Sequence, residues 1–201
     1  SGETEAAGNT GDVITVGFSQ VGAESDWRTA NSESMKSTFS TENGYNLIFD
    51  DAQQKQENQI AAIRNFIQQE VDYIVLAPVT ESGWDTVLQE AKDAEIPVII
   101  VDRMVDVSDD SLYTAWVGSN FKLEGQKACE WLKQYAAAKN MSEVNIVDIQ
   151  GTIGASAQIG RTEALNEAVE ANGWNLLAQQ TGEFTQAKGQ EVMESMLKQY
   201  E

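Results

Sequence analysis

Residues Tyr73–Val101 read YIVLAPVTESGWDTVLQEAKDAEIPVIIV, and this stretch decides the fold. Tyr73–Ala77 is a short apolar run rich in β-branched residues, which predicts a strand. From Trp84 to Ala94, Val87, Leu88 and Ala91 recur at the spacing of one helical face. Pro97–Val101 is a second apolar run. Both runs are continuously apolar rather than alternating, as strands buried on two faces are. Strand, helix and strand joined by short links predict a parallel pair with a right-handed crossover.

The same unit extends in both directions. Upstream, Val13–Phe18 predicts a first strand and Trp27–Asn43 a helix that stops at Asn43-Gly44, a favourable terminator. Tyr45–Phe49 predicts a second strand. Gln56–Gln69 predicts a helix with Ile60, Ile63, Phe66 and Ile67 on one face. Downstream, a fifth strand is expected at Tyr113–Val117 and a long helix at Asn120–Lys139. A second series then opens, with strands at Val144–Ile149 and Trp174–Ala178 and helices at Ser156–Ala171 and Thr185–Tyr200. The fold class is α/β: two doubly wound parallel-sheet lobes. The division expected is a linker at 1–12, a first lobe at 13–118 and the start of a second at 119–201. The second series offers two strands where such a sheet has about five, so this lobe is expected to be incomplete in this chain. Val144, Ile146, Val147 and Ile149 are then expected to be partly exposed, with the edge pairing to another copy or the lobe loosely ordered.

The first twelve residues, SGETEAAGNTGD, are small, polar and acidic, a linker composition. One reading makes them the tether of a lipoprotein whose lipidated Cys precedes Ser1. The other is an unstructured N-terminus of any origin.

Composition narrows the function. The 201 residues carry 13 Lys and Arg against 32 Asp and Glu, a net charge of −19, which repels nucleic acid. No apolar run approaches the roughly 20 residues of a membrane helix. There is no His, the usual general base and metal ligand. The single Cys129 lies in a helical pattern and reads as a small core residue. Metal and nucleophile motifs are missing with it, and no cofactor loop such as GxGxxG follows the first strand. An α/β enzyme would have to work with Asp50-Asp51 or with Glu24 and Asp102 as paired carboxylates. A sugar-responsive repressor would begin with a basic helix-turn-helix, whereas this start is acidic.

In open α/β sheets, ligands bind beyond the carboxyl ends of the strands. The segments there hold Trp27-Arg28, Asp102-Arg103, Arg161 and Phe184. Carbohydrates present hydroxyls that suit bidentate Asp and Arg, and C–H faces that suit aromatic rings. Each member alone has a plainer reading: Asp102-Arg103 as a surface ion pair, Trp27 as a helix anchor, Phe184 as core. Their joint placement at four strand ends favours a sugar site.

The words VGFSQVGAESDWR (Val16–Arg28), DDAQQKQENQIAAIRNFI (Asp50–Ile67), LAPV (Leu76–Val79), EAKDAEIPVIIVDR (Glu90–Arg103), QGTIGASAQIGR (Gln150–Arg161) and GEFTQAKGQEVMESML (Gly182–Leu197) carry a resemblance. The chain resembles the ribose-binding type of periplasmic sugar-binding proteins that serve ABC importers, from Ile14 to Tyr200. The resemblance implies a type I periplasmic-binding-protein fold, no catalysis, no cofactor and no metal. It implies a monosaccharide ligand, an ABC transporter permease as partner, and a place outside the cytoplasm. Glu24, Ser25, Trp27 and Arg28 would line the first-lobe wall. Asp102 and Arg103 would clamp ring hydroxyls, Arg161 would reach in from a second-lobe helix, and Phe184 would pack on the opposite sugar face. Ribose binders of this type carry paired Phe rings where this chain has Trp27-Arg28. That departure favours a hexofuranose or another larger sugar over ribose, and the resemblance implies galactofuranose or a related hexose or pentose as the ligand.

Overall fold

The computed structural model describes residues 11–200. Most of the linker at 1–12, and the lipid-tether reading with it, lies outside the described residues. Strands β1 (Ile14–Gln20), β2 (Tyr45–Asp51), β3 (Tyr73–Leu76), β4 (Val98–Asp102) and β5 (Ala115–Gly118) form one sheet in the order β2-β1-β3-β4-β5, with every pair parallel. Helices α1 (Asp26–Thr38), α2 (Gln56–Gln68) and α3 (Asp85–Asp93) make the crossovers. After helix α4 (Phe121–Ala138), strands β6 (Asn145–Gln150) and β7 (Asn175–Thr181) form a second parallel sheet of two strands, accompanied by α5 (Ser156–Asn172) and α6 (Gln186–Gln199).

Alternation along β3 shows how the first sheet is buried on both faces. Ile74 and Leu76 join Ile63, Phe66, Trp84 and Leu88 beneath α2 and α3. Val75 and Ala77 turn the other way, into a core with Val16, Phe18 and Val101 that also takes Met35 and Phe39 from the α1 side. Each large side chain so buried stabilises by roughly 1.5–3 kcal/mol. Gly17 is required here: a Cβ would stand 2.5 Å from the Phe66 ring, which fills that space.

Most element ends shift by one to three residues from the sequence expectation, β7 for instance running on to Thr181, and two differences have a visible cause. Helix α1 stops at Thr38, five residues before Asn43. The Asn43 amide folds back to donate to the carbonyls of Ser37 and Thr38, at 3.2 and 3.0 Å, and Gly44 then turns the chain at φ +87°. The Asn-Gly signal therefore marks the end of a capping turn rather than of the helix. Strand β5 begins at Ala115 because the Asp109 side chain accepts from the Ser111 N–H at 2.8 Å and holds residues 110–112 in a 3-10 turn.

The second sheet has a smaller core. Ala136, Val144 and Trp174 are buried, with Cys129, Leu132 and Ile146 packed against them. Val144 was expected to be partly exposed; Ala136 of α4 and Trp174 cover it instead. Ile146 and Val147 are half-buried and Ile149 is exposed. Cys129 is half-buried, its Sγ 3.9 Å from the Ala164 carbonyl. The sheets meet at loops: the Glu81 N–H donates to the Gly154 carbonyl at 2.9 Å, and the Met104 N–H to Ser156 Oγ at 2.8 Å.

Candidate functional site

The carboxyl ends of β1, β4, β6 and β7 converge where the sheets meet. Ser25 caps α1, its Oγ accepting from the Arg28 N–H at 3.2 Å, and this sets the first helical turn over the end of β1. Arg28 thereby points inward and is 2% exposed. Its Nε donates to Glu24 Oε1 at 2.9 Å and its Nη2 to Asp102 Oδ2 at 2.9 Å. One guanidinium thus ties the loop after β1 to the end of β4, 74 residues away in sequence.

Arg103 lies beside it, also buried. Its Nη1 donates to the Val79 carbonyl at 3.0 Å, and its Nη2 lies 3.5 Å from Glu24 Oε1. Burial, and next the neighbouring Arg28 cation, push the Arg103 guanidinium down to about 10, so it stays charged at neutral pH. Glu24 is held by two arginines through one oxygen. Its other oxygen, Oε2, is buried and has no hydrogen-bond partner, and the Glu24 side chain is 2% exposed. An unsatisfied buried carboxylate oxygen is costly and calls for a donor.

Two aromatic rings complete the surround. Trp27 is 59% exposed, with the Arg28 guanidinium 4.9 Å from its ring centroid. Phe184, on the corner after β7, brings its ring to 4.9 Å from the Arg103 guanidinium and so reaches from one sheet to the other. Its ring occupies the space a Cβ on Gly151 would need. Asp102 at φ +63° and Phe184 at φ +56° both take the left-handed backbone, which is unfavourable for a bulky residue such as Phe184. Arg161, on α5, is half-exposed; it pairs with Glu124 and lies over the Phe121 ring at 5.2 Å.

All eight residues singled out from the sequence line one pocket of about 310 Å3, at the small end of the roughly 300–1,000 Å3 range of ligand sites. Ser119, Phe121, Glu124 and Ala157 line it as well and were not singled out. Glu124 stands in the first turn of a helix, where an acidic residue reads as an ordinary partner of the helix dipole; only the fold brings it to Arg161. A neighbouring cavity of about 230 Å3 shares Arg161 and Phe184 but is otherwise walled by the second sheet and its helices, among them Asp148, Gln150 and Thr162. Lacking the Glu24, Arg28 and Arg103 cluster, it is the weaker candidate. Among the described residues, no group of His, Cys, Asp or Glu is placed to hold a metal ion.

Comparison with known proteins identifies the family. The profile of the Periplasmic binding protein domain matches residues 16–201. The Galactofuranose-binding protein YtfQ of Escherichia coli strain K12 is 48% identical over 186 residues, 92% of this chain and 57% of that protein. The chain thus spans little more than half the length of the curated relatives it matches. A Mycobacterium smegmatis structure in complex with β-D-fucofuranose is 48% identical with a TM-score of 0.88, covering 94% of this chain and 62% of that one. The periplasmic binding component of the arabinose ABC transporter from Shewanella sp. ANA-3, bound to α- and β-L-arabinofuranose, is 50% identical with a TM-score of 0.84, covering 92% and 60%. The resemblance drawn from the sequence therefore holds, and the chain belongs to the periplasmic binding protein family, with the type I α/β fold.

Proposed function

We propose that this chain captures a neutral monosaccharide in furanose form, outside the cytoplasm, for delivery to an ABC importer. The pocket's charge and shape carry this reading. Arg28, Arg103 and Arg161 stand against Glu24, Asp102 and Glu124, so the lining is balanced. A phosphate or carboxylate ligand would upset that balance, whereas a polyol exchanges hydrogen bonds with both signs. Glu24, which lines the pocket, has one carboxylate oxygen, Oε2, still short of a donor. Trp27 and Phe184 offer ring faces to the C–H surface. The relatives that bind galactofuranose, fucofuranose and arabinofuranose point to the furanose ring.

Residues from both sheets line the pocket, so a sugar that touches both favours the arrangement that brings them together. This is a binding cycle without chemistry: the sugar leaves as it entered. Titration calorimetry on the full-length protein tests the proposal, using D-galactose, L-arabinose, D-ribose, an amino acid and galactose 1-phosphate. Heat from a free aldose, with D-galactose or L-arabinose ahead of D-ribose, is the expected result. Binding of the amino acid or the phosphate with none of the aldoses would overturn it.

A further inference from the structure

Glu124 sits on α4, the helix that enters the second sheet's half of the molecule. Its Oε2 accepts from Arg161 Nη2 at 2.8 Å and from Nε at 3.2 Å. The placement is fixed by the backbone. A Cβ on Gly125 would stand 2.7 Å from the Ala164 Cβ, and one on Gly160 would stand 2.8 Å from the Lys122 nitrogen. Helices α4 and α5 therefore touch at close range beside the pair. Phe121 supports the same guanidinium from its ring face. A half-exposed ion pair adds little to stability, so this support is better accounted for by the pocket it borders.

Glu24 and Asp102 are already bound to Arg28, and Glu24 also lies against Arg103. Glu124 is the remaining carboxylate of the lining, and it faces the remaining guanidinium. We propose that Glu124 is a specificity-determining residue: by neutralising Arg161 it keeps the pocket selective for uncharged sugars and excludes sugar acids. Without it, Arg161 would offer a planar fork of donors matched to a carboxylate. The inference rests on the neutral-sugar reading above and goes beyond it by naming the residue that enforces neutrality.

The test is Glu124→Gln in the full-length protein, titrated with D-galactose and D-galacturonate at low ionic strength. The wild type is expected to take galactose and reject galacturonate. Glu124→Gln should bind galacturonate at least about 10-fold more tightly than the wild type does, a gain that added salt reduces. Glu124→Asp, which keeps the charge, should still reject galacturonate. Combining Glu124→Gln with Arg161→Ala should abolish the gain, which a merely structural role for Glu124 would not predict. A wild type that binds galactose, together with a Glu124→Gln variant that gains nothing for galacturonate, overturns this inference alone. A wild type that binds no neutral sugar overturns the function reading, and this inference falls with it.

Discussion

The first half of the chain and the last contain the same device with different surroundings. In both, a strand ends in Gln, a helix follows, a second strand pairs in parallel, and a tight corner leads into the next helix. The corners share their first backbone hydrogen bond. The Ala52 N–H donates to the Gln20 carbonyl at 3.0 Å, as the Gly182 N–H does to Gln150 at 2.7 Å. Gln53 and Gln54 take the left-handed backbone, as do Glu183 and Phe184. Yet β1 has a paired strand on each side within the five-stranded sheet, whereas β6 has one neighbour among the described residues. The charged groups follow that difference. Arg28, on the helix of the first device, is 2% exposed and locked to two carboxylates; Arg161, on the helix of the second, has a side chain 47% exposed. One wall of the pocket is built into the core, and the other is presented on a surface. The first wall should therefore couple ligand binding to stability, and the second should not.

The largest effect is expected at Arg28→Ala. Removing it leaves the buried Glu24 and the part-buried Asp102 each short of a partner, which costs roughly 3–5 kcal/mol of stability. Sugar affinity should fall by about 2–4 kcal/mol as well. Denaturant melts paired with calorimetry read both. Arg161→Ala should separate the two quantities: stability within about 0.5 kcal/mol of wild type, sugar affinity down by roughly 1–3 kcal/mol. Equal destabilisation by the two variants would break the contrast between the walls.

Trp27→Ala sharpens it. Trp27 stands on the rigid wall but is itself exposed. It should behave like a surface residue, costing about 0.5–1.5 kcal/mol of sugar affinity through lost ring contact and leaving the melting temperature unchanged.

The smallest effect is a pH dependence where the walls meet. Burial, then Asp106 and Glu163, raise the Glu81 carboxyl above its usual range, and the Glu81 N–H donates to Gly154 of the other half. A carboxyl raised in the folded state holds its proton more tightly there than in the unfolded chain. Its ionisation therefore weakens the fold as pH rises through the raised value, and protonation relieves this as pH falls. Glu81→Gln should melt slightly above wild type at neutral pH, and the gain should vanish near about pH 4, around the ordinary carboxylate range. A gain that persists in acid would show that charge is not its cause.

Much of this was legible in the sequence because burial on two faces leaves a continuous apolar run. Val98–Val101 reads as an interior strand, and the rule for open sheets then put Asp102-Arg103 at a candidate site, where the structure places them in the pocket lining. What the sequence hid depends on contacts between distant segments. The four-residue spacing of Glu24 and Arg28 suggests an ordinary helical ion pair; its burial follows from Asp102 closing over it from β4. Glu124 meets Arg161 only because glycines on α4 and α5 let the helices approach. The end of α1 was misplaced because the Asn43 side chain, not the backbone pattern, caps it.

The central claim is that one sugar is shared by the two walls. The most direct measurement is the structure of the full-length protein with D-galactose or L-arabinose bound. The account predicts a furanose in the pocket lined by Trp27, Arg103 and Phe184, with Asp102 or Glu24 on one side of it and Arg161 in contact from the other. A sugar held by residues of one sheet alone, or seated in the neighbouring cavity by Asp148 and Gln150, would contradict it.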